Sequence, residues 1–212
     1  MRPINVCVTV FNRYDLLAVL VDSLRKSSVV PSALYVIDRG NDARAVDEAL
    51  GHGVSEKTDI RRIPLEGQCL ATAWNWFIKN VPEERIIASD DIVFYPETLG
   101  VFRDTPGDFI GIKDGKSSAF ACFLIRDSCV EKIGLFDETI SPDYLYFEDC
   151  DYGKRMHLAG VPIVRIDCLF HANSQSLARK TEEQTKEHHR LFTIAQENYI
   201  RKWGSAPTPG EW

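Results

Sequence analysis

Two pairs of adjacent carboxylates, Asp90-Asp91 and Glu148-Asp149, are the residues of this chain whose type and spacing suit chemistry best. The first pair closes Arg85-Ile86-Ile87-Ala88-Ser89, a mainly apolar run that ends abruptly in acid and then turns. Such a run reads as a buried parallel strand, and open α/β sheets bind ligands at the carboxyl ends of their strands. Neighbouring anions stay close when a cation lies between them and a partner, and a hard divalent ion shared by one or two carboxylates and a substrate's phosphates meets that need. The alternative is a solvated loop in which Asp90 or Asp91 caps the helix opened by Pro96. The second pair follows Tyr144-Leu145-Tyr146-Phe147 and begins a helical pattern that runs through Met156 and Leu158 to a C-cap at Gly160. Acids at a helix start complement its dipole, which lowers their pKa. Apolar surroundings raise it, toward the strength a general base needs.

Four other places carry candidate residues. Phe11-Asn12-Arg13 ends a β-rich run from Ile4, and Asn12 stands where it could cap the next helix in a box with Asp15 or expose backbone to a ligand. Asp38 ends the run Leu34 to Asp38; an acid there is either a helix cap or a contact to a ribose or base. His171 ends a strand begun at Pro162, a position for metal or phosphate contact as well as for a structural imidazole. Arg179-Lys180 lie in a polar stretch that could fold over a diphosphate or simply be solvated.

The elements that must position these residues alternate. Strand and amphipathic helix follow one another up to residue 92, with Leu17, Leu20, Val21 and Leu24 on one helix and Leu70, Ala73, Trp74, Phe77 and Ile78 on another. That order predicts a mainly parallel sheet with helices on both faces. Trp74 and Trp76 fit packing better than base stacking. Asp108 to Ile112 and Phe120 to Arg126 then read as a hairpin in a small lobe. Residues 181–203 form a long helix with Leu191, Ile194, Ala195 and Tyr199 on one face, a docking or homodimer surface, and residues 204–212 are a loose tail.

The net charge of -6, without a block of one sign, excludes a broad nucleic-acid-binding face, so a phosphate ligand needs a metal or a few local basic groups. Six scattered cysteines without a C-x-x-C pair indicate reduced core thiols in a cytoplasmic protein. No apolar run approaches membrane-spanning length.

Taken in order, VTVFNR, YVIDRGN, ASDDIVFYPETL, GLFDETI with YFEDCDYGKRMHLAG, and HANSQS resemble the nucleotide-sugar glycosyltransferases of family 2. The resemblance spans about residues 4 to 176. It implies a GT-A fold: a Rossmann-like, mainly parallel mixed sheet with a nucleotide-sugar-binding half over residues 1–107 and a small acceptor lobe with the catalytic residues over 108–180. It also implies an inverting transfer from a nucleotide-diphosphate sugar to an acceptor hydroxyl, assisted by Mn²⁺ or Mg²⁺. Position by position, it assigns Asp38 to the base, Asp90 to ribose or a metal-bound water, Asp91 to the metal, His171 to metal or diphosphate, and Asp149 to the catalytic base, with Glu148 as its runner-up. The acceptor stays open: glycan, lipid-linked glycan, protein, modified nucleic acid or small molecule. Two other functions are compatible with the residues. One is a sugar-phosphate nucleotidyltransferase, which calls for a Gly-rich loop near Phe11 to Asp15 that this chain does not have. The other is a nucleotide-sugar-binding protein without catalysis.

Overall fold

The protein is seen in a computed structural model that describes residues 3–65, 69–82, 84–113, 118–143, 146–167, 170–171 and 181–207. The first half alternates as its periodicity predicts: β1 (Asn5–Val10), α1 (Tyr14–Arg25), β2 (Ala33–Asp38), α2 (Ala43–Leu50), β3 (Asp59–Ile63), α3 (Leu70–Asn80) and β4 (Arg85–Ser89). A two-residue strand β5 (Ile92–Val93) leads to α4 (Thr98–Asp104) and β6 (Phe109–Ile112). A single 3-10 turn at Ala119–Ala121 precedes β7 (Cys122–Ile125), α5 (Asp127–Ile133), α6 (Glu148–Leu158), β8 (Ile163–Ile166), β9 (Phe170–His171) and α7 (Glu182–Trp203).

Seven strands form one sheet in the order β3-β2-β1-β4-β7-β6-β8. The β1, β2, β3 and β4 pairings are parallel, β7 runs antiparallel to both β4 and β6, and β8 is parallel to β6. The hairpin read from the sequence therefore extends the main sheet. All six residues of β1 are buried, as a central strand covered on both faces requires. Its period of two splits the core: Val6, Val8 and Val10 pack with Leu17, Leu20, Val46, Leu99 and Phe102 from α1, α2 and α4. Cys7 faces the other layer, with Ala73, Trp74 and Phe77 of α3 and Tyr152 and Met156 of α6.

Trp74 is wholly a packing residue. Its ring lies edge-on to Phe123 and Phe136 at 5.3 and 4.9 Å. The neighbouring Asn75 is buried and pins the segment after α5, exchanging hydrogen bonds of 2.9 Å in each direction with the backbone of Phe136. Cys7, Cys69, Cys122 and Cys129 are buried, and burial pushes the Cys7 thiol far up. Among the described residues no helix is long and apolar enough to cross a membrane.

The apolar stripe of α7 docks on its own chain. Ala195 and Tyr199 are buried against Ile140 and Phe147, with Phe192 and Trp203 alongside. The stripe falls one residue away from part of the expected one: Phe192 and the buried His188 face inward, whereas Leu191 and Ile194 are half-exposed.

Candidate active site

Register brings the candidate residues to one edge of the sheet. Val10 pairs with Asp38 and Thr9 with Ser89, so the turn at Phe11 to Arg13, the carboxyl end of β2 and the Asp90-Asp91 pair emerge side by side. The small second sheet adds a fourth member, since Ile92 pairs with His171 and sets the backbone of His171 beside Asp91. Arg179 and Lys180 lie outside the described residues.

Asn12 does not cap α1. Its backbone is left-handed, with φ 57°, the N-cap is Arg13, and no side-chain cap bond forms. Asn tolerates this conformation better than most residues do. Asp15, the expected partner of a capping box, is held by Arg13 in a two-pronged ion pair, with Nε to Oδ1 and Nη2 to Oδ2 both 2.9 Å. Arg13 is also the nearby cation of the acidic pair, since the charges of Asp90 and Asp91 both help raise its pKa.

Asp38 organises the turn after β2. Its Oδ1 accepts from the Tyr14 hydroxyl at 3.0 Å and the Gly40 N–H at 2.9 Å, and its Oδ2 from the Asp42 N–H at 2.6 Å. A carboxylate has about four acceptor positions, so one remains for a ligand. Gly40 lets this turn pack closely: a Cβ there would displace Asn12 Oδ1 and the Tyr14 hydroxyl that Asp38 binds. Arg39 between them is mostly buried, its guanidinium 5.6 Å from the centre of the Phe11 ring. The sequence reading passed over Arg39. An Arg following the strand-ending Asp is the only signal that could have found it.

Asp90 is pushed up to about 7, first by burial and then by the charge of Asp91, against the Phe11 N–H and Arg13, which favour its ionised form. The folded state thus holds a proton more tightly than the unfolded chain, whose carboxyl has the ordinary value of 3.8. The resulting stability is full below that value and is lost as pH rises through about 7. Asp90→Asn is expected to remove this dependence, so that thermal melts of the metal-free variant and wild type, compared from acid to mildly alkaline pH, diverge in the variant's favour as pH rises. Parallel pH curves would show that Asp90 is not held protonated.

Two adjacent carboxylates, hard oxygen donors, suit a divalent ion such as Mg²⁺ or Mn²⁺. Among the described residues no group of three or more His, Cys, Asp or Glu side chains could hold a metal alone. Asp90 and Asp91 therefore fit an ion that completes its coordination with ligand phosphates and water.

Glu148 and Asp149 open α6 after two unusual residues, Tyr146 with φ 121° and Phe147 with φ 66°. Bulky residues at positive φ cost of order 1–3 kcal/mol each and persist only where their surroundings fix them. Glu148 is 4% exposed, and its Oε2 accepts the Tyr146 N–H at 2.6 Å. Burial, then the charge of Asp149, raises its carboxyl well above the usual range, while Arg39 draws it back. Apolar burial therefore outweighs the helix terminus at Glu148, and the influence of Arg39 ties the start of α6 to the end of β2. Asp149 is half-buried, with Oδ1 accepting the Cys150 N–H at 2.8 Å. Asp151, the third acid, is structural: it is fully buried and bonds Arg155 Nε at 2.9 Å, Lys202 Nζ at 2.7 Å and Trp203 Nε1 at 2.9 Å.

No protein-family model matches the chain, and no curated protein sequence matches it. Solved structures do match. The mannosyltransferase PcManGT from Pyrobaculum calidifontis, solved with GDP-Man and Mn²⁺, aligns over 98% of this chain and 66% of its own, at 14% identity and a TM-score of 0.64. TarS 1-349 of S. aureus aligns over 94% and 66%, at 16% identity and a TM-score of 0.60. The inositol-1-phosphate CTP transferase of T. maritima aligns over 92% of this chain and 97% of its own, at 10% identity and a TM-score of 0.57. The chain thus spans just under two thirds of the length of the first two. The seven-stranded, mainly parallel sheet, the helices on both its faces and the likeness to the first two of these structures make this a GT-A type fold.

Proposed function

We propose that the protein is an inverting glycosyltransferase that moves a sugar from a nucleotide-diphosphate donor to an acceptor hydroxyl. The observation that carries this reading is the convergence, at the carboxyl ends of the strands, of Asp38, the Phe11 to Arg13 turn, Asp90-Asp91 and the backbone of His171, with a second acid pair linked to them through the charge of Arg39 on Glu148. In this reading the donor half is residues 1–107 and the catalytic half 108–180.

Each residue has a role suited to its setting. Asp38 offers its remaining acceptor position to the nucleotide base, while its other bonds keep the turn rigid. Asp91 holds a divalent ion, with His171 as second ligand or diphosphate contact, and Asp90 holds the ribose or a metal-bound water. When bound, the ion stabilises the negative charge that grows on the leaving diphosphate. Arg13, beside the acid pair, limits their mutual repulsion. Asp149 accepts the proton of the attacking hydroxyl from the face opposite the leaving group, as the base of an inverting glycosidase does for water. It suits that task better than Glu148, which is enclosed and committed to the Tyr146 N–H. Arg179 and Lys180 are proposed to cover the diphosphate and exclude water.

Nucleotidyl transfer is the second reading, favoured by the likeness to the CTP transferase. One screen separates the two. Ligands that bind only the folded state raise its melting temperature. With Mn²⁺ present, nucleotide-diphosphate sugars are expected to stabilise the protein more than nucleoside triphosphates do; stabilisation by a triphosphate and a sugar phosphate alone would reject transfer in favour of nucleotidylation.

A further inference from the structure

The C-terminal helix reaches further into the candidate site than a stabilising helix needs to. Its inward positions, the buried His188, Ala195 and Tyr199 and the half-buried Phe192, recur at three- and four-residue spacing and meet the strained pair that precedes the catalytic acids. Phe192 lies 5.1 Å from the Tyr146 ring and 5.0 Å from the Phe147 ring, centre to centre, and Tyr199 lies 5.8 Å from Phe147. His188 adds a polar contact inside this apolar seam: its Nδ1 is 2.9 Å from the Tyr146 hydroxyl, and its ring stands edge-on to the Tyr146 ring at 5.2 Å. The backbone N–H of the same Tyr146 donates to Glu148 at 2.6 Å. A continuous set of contacts therefore runs from α7 through Tyr146 to the acid pair. At its other end α7 is anchored on the same turn of α6, through Trp203 and Lys202 to Asp151.

We propose that α7 belongs to the catalytic apparatus, with His188 and Tyr146 as positioning residues that hold the Glu148-Asp149 turn in its working geometry. The proposal rests on the transferase reading for its consequence in turnover, and on contacts alone for the coupling itself. Residues at positive φ keep that conformation only where neighbours fix it. Here the neighbours include side chains of one distant helix, and the His188–Tyr146 hydrogen bond is a contact that sets direction rather than mere burial. A misplaced catalytic group lowers the rate of the chemical step without weakening a donor that other residues hold.

The test uses the full chain loaded with Mn²⁺. Tyr146→Phe, which removes one hydroxyl, and His188→Ala are each expected to lower kcat about tenfold while leaving donor KM unchanged. The double variant should be no slower than the worse single one, since both break one contact. His188→Gln, which can still bond the hydroxyl, should restore part of the rate. Additive losses, or full turnover in Tyr146→Phe, would overturn the proposal. Hydrogen exchange provides a readout that needs no activity: the amides of residues 146–151 should exchange faster in His188→Ala and in Tyr146→Phe than in wild type, and unchanged protection in both would overturn it equally. A wild-type protein that transfers no sugar defeats the transferase reading, while the exchange rates still decide whether α7 holds the turn.

Discussion

Asp91→Ala is expected to abolish metal-dependent binding of the nucleotide diphosphate. Of the two acids after β4, Asp91 is the one bordered by the ladder that brings the backbone of His171 alongside. An ion bound by one or two carboxylates and the ligand's phosphates loses a large share of its protein ligation when one carboxylate goes. Loss of an outer-shell partner already costs about 10–100-fold in metal affinity, so loss of the ligand should cost on the order of 100-fold or more. Calorimetric titration of a nucleoside diphosphate with and without Mn²⁺ measures it. Wild type should bind far more tightly with the ion, and the variant should show the same weak binding in both conditions. An unchanged, ion-dependent affinity in Asp91→Ala would remove the metal from this position.

The second large effect separates binding from turnover. Asp149→Asn keeps size and hydrogen-bonding capacity but cannot take a proton, so kcat should fall by roughly 10²–10⁴-fold, the usual worth of a general base. Affinity for the nucleotide diphosphate and Mn²⁺ should stay within a factor of about two, since the proposed donor contacts are made by other residues. Glu148→Gln is the control: Glu148 is buried and engaged with the Tyr146 N–H, so its replacement should disturb the turn more than the proton transfer. If Asp149→Asn retains turnover while Glu148→Gln loses it, the base is Glu148.

Much of this arrangement was legible in the sequence because burial writes a period. The alternation of β1 to β4 with α1 to α3 followed from runs such as INVCVTVF and from Leu17, Leu20, Val21 and Leu24, and the strand ends at Asp38 and Asp90 followed from those runs stopping in acid. The docking face of α7 was also visible as a stripe. What it docks on was not, since a stripe records apolarity and not its partner. Asn12 looked like a cap because Asn followed by Asp15 matches a capping box. Arg13 overrides that pattern by taking Asp15 itself, which frees Asn12 to turn left-handed over Gly40. The β5–β9 ladder was illegible, because strands of two residues carry no period to read. Arg39 escaped because its value lies in long-range company: the Phe11 ring on one side and the charge of Glu148 on another.

The order β3-β2-β1-β4, with α1 on one layer and α3 on the other, makes the boundary between β1 and β4 a topological switch point, where successive connections leave in opposite directions. The crevice there is a product of chain direction. It needs none of the acids that line it, and the apolar interior beneath it is complete without them. Asp90 and Glu148, whose ionised forms burial opposes, are therefore not residues that the fold itself calls for. Neutral residues at both positions are expected to keep the architecture and to raise the stability of the ligand-free protein above neutral pH, where the wild-type acids must ionise against burial.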